Sequence, residues 1–266
     1  MLGEELLALI FEEVHLRRFA TLPKGRAVPQ PARNVECPAV PLPKEVKFLT
    51  FDCYGTLIDW ETGVHAAFQK EADRDGFTID RDVLIPRFLE IQHEIQSGSY
   101  ELYAEVLRRT AVKVAAELGW SLESSRAQFL PDSVPRWMPF RETNAQVDRL
   151  AKKYEIGILS NVDDKLLGAT RRHLRTDLDL VVTAQQVRSY KPEHAHFKEC
   201  ARRIEKKKKH WVHIASGYET DVAPCLSQRI PVIWVNRRGA ELEPGQKKPT
   251  EEVKSFRDAG KLLNAV

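Results

Sequence analysis

The chain is short of sulfur and of long apolar stretches. Its 266 residues hold four cysteines and two methionines. Cys37, Cys53, Cys200 and Cys225 never fall in a C-x-x-C spacing. A zinc ribbon or a dithiol redox pair needs that spacing, so neither is expected, nor is a disulfide framework; a reducing, cytoplasmic setting fits. No apolar run approaches the ~20 residues that cross a bilayer, so no membrane partner is expected. Neither sign of charge dominates. The net charge is +3 and both signs are dispersed, which gives no electrostatic reason to expect a nucleic-acid partner. No internal repeat is present. His194, His196, His210 and His213 do not form a metal-binding spacing, and His213 lies inside a strand pattern, as a core residue would.

What is present is a soluble, globular composition, 42% hydrophobic and 30% charged. The length suits one sizeable α/β domain with a smaller one. The first 45 residues differ from the rest. Leu2, Leu6, Leu9, Ile10 and Val14 recur at roughly helical spacing, and Glu4, Glu5, Glu12 and Glu13 argue against a secretory or transit peptide. Residues 21–44 are proline-rich and aperiodic, so they read as extended or disordered. Residues 1–45 are therefore expected to be a loosely attached extension whose removal leaves folding and activity intact.

Residues 46–51 form a short apolar run ending at Asp52, the pattern of a buried strand followed by a turn. From about 60 to 120 the pattern is helical. Val83, Ile91, Ile95 and Leu102 give one apolar face; Tyr103, Val106, Leu107, Val114 and Leu118 give another. Pro131, Pro135 and Pro139 mark a connection. Strand patterns at 155–159, 180–183, 211–215 and 231–235 then alternate with helical ones at 143–153, 165–174, 194–205, 220–228 and 252–263. The lysine run 206–209 reads as a solvated loop at a helix end. Such alternation predicts an α/β fold: a Rossmann-like, doubly wound parallel sheet as core, with an inserted helical cap. The expected boundaries are 46–62 and 136–266 for the core and 63–135 for the cap.

In a doubly wound sheet, ligands bind beyond the carboxyl ends of the strands. Asp52 falls there after the first strand, Ser160 and Asn161 after the second, Lys191 after the third, Ser216 and Asp221 after the fourth. Taken singly, each has a plain structural explanation. An aspartate after a strand is commonly a turn residue, Ser160-Asn161 a turn and cap, Lys191 a loop residue, and Asp221 a helix cap. Their succession at four strand ends is what argues for chemistry.

The segments FDCYGTL (51–57), ILSN (158–161), YKP (190–192) and ASGYETD (215–221), in that order, resemble the haloacid dehalogenase-like hydrolase superfamily over residues 46–266. The resemblance implies that the Asp52 carboxylate attacks the substrate and forms a covalent aspartyl intermediate. Lys191 would balance its charge and help hold a substrate anion. Thr56, Ser160 and Asn161 would donate to developing charge, and Asp221 would orient or deprotonate the hydrolytic water, directly or through Lys191.

The superfamily's phosphatases have a second acid two residues after the nucleophile, to protonate the leaving group. Here that position is Tyr54. A halide leaves without a proton, and the Tyr-Gly-Thr sequence is similar to the (S)-2-haloacid dehalogenase branch. The phosphatases also hold Mg²⁺ with an acid where this chain has Ser216, so no metal or other cofactor is expected. Two positions depart from the dehalogenase pattern: Tyr218 replaces an asparagine and Phe197 a tyrosine. The branch's halide-holding arginine aligns most nearly with Arg87. Tyr54, Asn161, Arg87 and Ser216 are expected to border the substrate, a small anion. A homodimer stays open as a partner. Two further readings stay open: a Mg²⁺-dependent phosphomonoesterase using Asp52, and a binding protein without turnover.

Overall fold

Five short, mostly apolar runs of four to six residues and a three-residue edge form the strands of a parallel sheet among the described residues. The computed structural model describes residues 40–264. The roughly helical spacing from Leu2 to Val14 and nearly all of the extension lie outside the described residues. The strands are β1 (Phe48–Phe51), β2 (Glu155–Ser160), β3 (Leu180–Thr183), β4 (Trp211–Ala215), β5 (Val232–Val235) and β6 (Glu251–Val253). Their order is β3-β2-β1-β4-β5-β6, and every pairing is parallel. β1, β4 and β5 are buried along their whole length, as strands covered on both faces must be.

Side chains alternate between the two faces. Leu49, Phe51, Ile156, Ile158, Val212 and Ile214 enter one apolar cluster, together with Val147, Phe256 and Leu263. Phe48, Leu159, Trp211 and Val232 enter the other, with Phe197, Cys200 and Val222. The first face is covered by α4 (Thr143–Leu150) and α8 (Phe256–Asn264), the second by α6 (Ala195–Ile204) and α7 (Ala223–Ser227); α5 (Asp164–Thr170) follows β2. Burying one such aromatic side chain contributes about 1.5–3 kcal/mol. Cys53, Cys200 and Cys225 are free and buried. No helix among the described residues is long and apolar enough to cross a membrane.

The sixth strand corrects the sequence reading, which runs the last helix from 252. Glu251 and Glu252 are exposed on a three-residue edge strand, too short to show alternation. Helix α8 begins only at Phe256.

Between β1 and α4 lies the helical insertion. It comprises α1 (Trp60–Ala72), α2 (Arg81–Gln96) and α3 (Tyr103–Glu117), followed by two 3₁₀ segments at Ser124–Phe129 and Pro131–Arg136. Asp59 caps α1 by accepting from Thr62 N at 3.2 Å, and Asp80 caps α2 by accepting from Asp82 N at 2.8 Å. The cap of α3 comes from the core instead. Asp163, just beyond β2, accepts from Tyr103 N at 2.7 Å and from Ala104 N at 2.8 Å. Tyr190 adds a second tie, its hydroxyl donating to Glu101 O at 2.9 Å.

Candidate active site

The strand order reverses at β1, which has β2 on one side and β4 on the other. A crevice opens at the carboxyl ends of strands on either side of such a switch point. Asp52 N still donates to Ile214 O at 3.1 Å, so the residue leaves the sheet anchored to β4. The chain then turns at Gly55, whose φ is +96°. A Cβ there would lie 2.9 Å from Ser216 Oγ and 3.2 Å from Trp60 Nε1, so both conformation and space require glycine.

Lys191 joins two carboxylates. Its Nζ lies 2.9 Å from Asp52 Oδ1 and 2.5 Å from Asp221 Oδ1, and it donates to Leu159 O at 3.0 Å. An ammonium has three protons, so all are taken. Lys191 is 2% exposed and Asp221 1%. Thr56 Oγ1 reaches Asp52 Oδ2 at 3.1 Å and accepts from Ser216 N at 2.9 Å. Asn161 holds the lysine by its backbone: Nδ2 donates to Lys191 O at 2.9 Å, and Oδ1 accepts from Lys191 N at 2.7 Å.

The environment drives the two carboxylates apart. Burial raises the Asp52 carboxyl above the usual carboxylate range, although the Lys191 charge offsets part of the rise. Burial acts on Asp221 as well, but there Lys191 and the hydrogen bond from His213 outweigh it, and the group is held well below that range. Burial alone would lower Lys191; the Asp221 and Asp52 charges instead hold it above its ordinary value, as an ammonium.

Behind Asp221 runs a chain of hydrogen bonds with one direction. Trp211 Nε1 donates to Thr50 Oγ1 at 2.7 Å, Thr50 Oγ1 lies 2.7 Å from His213 Nδ1, and His213 Nε2 lies 3.0 Å from Asp221 Oδ1. Trp211 can only donate, and the carboxylate can only accept. The Nε2–H tautomer of His213 satisfies every member. Thr220 Oγ1 donates to the other oxygen, Asp221 Oδ2, at 2.6 Å.

A cavity of about 580 Å³ opens over Asp52. Tyr54, Ser160, Asn161, Lys191 and Ser216 border it. The insertion contributes Trp60, Phe88 and Tyr103 to its wall, and the core contributes Tyr218 and Trp234. Ser160 Oγ is buried without a hydrogen-bond partner among the described residues. The Ser160 carbonyl lies 3.1 Å from His196 Nε2.

The structure thus brings together Asp52, Tyr54, Thr56, Ser160, Asn161, Lys191, Ser216 and Asp221. It does not bring Arg87 to them. That side chain projects from α2 into solvent, paired with Glu90 at 2.6 Å and with Glu117. The arginine at the cavity from the same helix is Arg81, 3.8 Å from Glu61. One other expectation changes. Lys191 has no proton left for a substrate anion, while the Asn161 amide gives one of its two protons to the lysine backbone. Asp221 and Thr56 stand behind the cavity rather than in its lining. His213 is a core residue, as its strand position suggests, yet it also holds Asp221. Its strand places it two residues beyond Trp211 and pairs it with Thr50. Sequence reasoning also missed Arg237, which donates to Thr56 O at 2.9 Å and to Glu142 Oε1 at 2.7 Å; no motif signals it.

A Mg²⁺ ion asks for carboxylate oxygens in near-octahedral arrangement. Here Tyr54 stands at the second acid's position, its hydroxyl 2.9 Å from Thr170 Oγ1, and burial pushes that phenol well up. Ser216 stands where the acid of the last motif would be, and the Lys191 ammonium already lies between the two carboxylates. Among the described residues no group of three or more His, Cys, Asp or Glu could hold a metal ion. The donor set does not fit the ion.

A buried carboxylate at a sheet switch point, held by one lysine and bordered by a helical insertion, defines a doubly wound α/β protein whose site centres on Asp52. The family model described as haloacid dehalogenase-like hydrolase matches residues 46–227, and the chain belongs to that family. It is similar to an (S)-2-haloacid dehalogenase of Pseudomonas putida, 23% identical over 228 residues, covering 83% of this chain and 97% of the relative. Among solved structures it is similar to an L-2-haloacid dehalogenase from Xanthobacter autotrophicus with chloropropionic acid covalently bound. The TM-score is 0.72 and the identity 18%, over 83% of this chain and 99% of that one. A putative HAD-hydrolase from Bacillus subtilis bound to magnesium is also similar, with a TM-score of 0.71 and 15% identity over 83% of this chain and 100% of that one. At such identities the likeness shows the fold alone, and the side chains must select the chemistry.

Proposed function

We propose that the protein hydrolyses an (S)-2-haloacid, with Asp52 as nucleophile and without a metal. The observation that carries this reading is the buried Asp52–Lys191–Asp221 arrangement with Tyr54 where a leaving-group acid would stand. The names of the Pseudomonas and Xanthobacter relatives point the same way. An Asp52 carboxylate oxygen attacks the carbon bearing the halogen, from the side opposite it. A C–O bond forms, the C–halogen bond breaks, and halide departs with the bonding electrons, needing no proton. Water then adds to the Asp52 carbonyl carbon and releases the 2-hydroxyacid. One proton passes to solvent, and the carboxylate is restored.

Lys191 and Thr56 hold the two oxygens of Asp52 in position. Asp221 acts through Lys191, because its depressed basicity and full complement of hydrogen bonds suit it to holding the ammonium rather than taking a proton. Ser160 Oγ is the donor assigned to the substrate carboxylate, since its hydroxyl belongs to a bordering residue and has no hydrogen-bond partner among the described residues. Residues 63–135 act as a cap over the core of 46–62 and 136–266, and Trp60, where α1 of the insertion begins, stands at the junction of the two. Three buried free thiols suit a cytoplasmic setting.

The test is halide release from (S)-2-chloropropionate in the presence of chelator. Release is expected, and Asp52→Asn is expected to lower it by on the order of 10⁴-fold with the far-ultraviolet spectrum unchanged. Turnover of a phosphomonoester that chelator abolishes, with no halide release, would overturn the reading.

A further inference from the structure

The cavity is roomier than a three-carbon acid needs, and seven of its lining residues are aromatic. At about 580 Å³ it lies within the range of roughly 300–1,000 Å³ that encloses ligands of many more atoms than chloropropionate. Two aromatic pairs form its walls. Trp60 and Phe88, from the insertion, stack at 5.6 Å with 30° between their planes. Tyr218 and Trp234, from the core, meet edge to face at 5.4 Å. The polar atoms of the core pair are engaged elsewhere: Trp234 Nε1 donates to Ser216 O at 3.0 Å and Tyr218 OH to Lys247 O at 2.7 Å. What that pair offers a ligand is therefore carbon. The insertion pair begins beside the nucleophile, because Trp60 stands against Gly55, three residues after Asp52.

Charge points in the same direction. The three protons of Lys191 are taken, and Arg81 and Arg238 at the cavity edge share Glu61. The floor offers a free hydroxyl to one acid group, and the walls offer apolar surface to the rest.

We infer that the substrate is a 2-haloacid bearing an aryl side chain, its ring held between the Trp60–Phe88 pair and the Tyr218–Trp234 pair. This rests on the dehalogenase reading for the reaction, but not for the shape of the ligand. Burying a ring in such a site is worth about 10- to 100-fold in kcat/KM over a methyl group.

Two measurements test it. The first compares kcat/KM for (S)-2-chloro-3-phenylpropionate and (S)-2-chloropropionate by halide release. The aryl acid is expected to be preferred at least tenfold, and Trp60→Ala to reduce that ratio. The second needs no turnover: titration of intrinsic tryptophan fluorescence with 2-hydroxy-3-phenylpropionate and with lactate, where the aryl acid is expected to bind at least tenfold more tightly. Halide release that is equal for the two acids, or that favours the smaller, overturns the aryl inference and leaves the dehalogenase reading standing. Release from neither, with tighter binding of the aryl hydroxyacid, supports the aryl site and removes the dehalogenase reading. Release from neither and no preference in binding overturns both.

Discussion

The two walls of the cavity are built on opposite terms. The floor supplied by the core strand ends is polar, buried and nearly saturated: Lys191, Asp221, Asn161 and Thr56 bind one another and Asp52. The wall supplied by the insertion is aromatic at Trp60, Phe88 and Tyr103, with Glu61, Arg81 and Gln92 beside them, and it is tied to the floor at the seam through Asp163 and Tyr190. A saturated floor has little freedom to accept a different substrate, because any new polar group must displace an existing bond. An aromatic wall accepts many shapes. The difference teaches that, on the proposed reading, the reaction resides in the polar floor and the choice of substrate in the aromatic walls, to which the insertion gives Trp60 and Phe88 and the core Tyr218 and Trp234.

The largest effect that would test this division is at Lys191. Lys191→Met leaves two buried carboxylates without their cation. Breaking a buried pair in this way costs about 3–5 kcal/mol, and urea unfolding should show it together with loss of turnover. If turnover vanished with stability intact, the lysine would be serving the substrate and not the floor.

The carboxylates themselves give the next test. Burial raises Asp52, and its reactive form is the anion, so activity must fall as pH drops through its folded pKa. The acid limb of kcat/KM is therefore expected above the ~3.9 of a free aspartate. A profile flat down to about pH 4 would show that the floor does not shift its nucleophile. The seam responds more weakly. Asp163→Ala removes the cap of α3 and should cost about 1–2 kcal/mol by thermal unfolding, with a larger effect on KM than on kcat if the insertion governs binding.

The core floor was legible in the sequence, and the insertion wall was not. Asp52, Ser160, Lys191 and Asp221 each follow an apolar run, and the rule that sites lie at strand ends places them together. Thr56 and Ser216 follow from the same turns. Arg87 failed because a helical pattern tells which residues face the core, not which of several exposed arginines faces a cavity; Arg81, six residues earlier, is the one that does. Trp60 and Phe88 carried no signal, since aromatic residues at helical spacing read as ordinary core. His213 was legible as a strand residue, but its bond to Thr50 depends on β4 lying beside β1, and its bond to Asp221 on the chain turning back over the end of β4, neither of which a local pattern states. The edge strand Glu251–Val253 was lost because three residues, two of them acidic, show no period.

The smallest expected effect lies where floor and wall meet, at Tyr54. Its hydroxyl is 2.9 Å from Thr170 Oγ1, its ring meets Trp137 edge to face at 5.7 Å, and burial pushes the phenol well above its usual range. A group so placed does not give up a proton near neutrality. Tyr54→Phe should then cost about 1 kcal/mol of stability for the lost hydrogen bond and leave kcat/KM for the haloacid within about threefold. A general acid at the same place would contribute about 10²–10⁴-fold. A loss of that size on Tyr54→Phe would make the tyrosine a proton donor to the leaving group, and the division between a reactive floor and a selecting wall would fail at the residue that borders both.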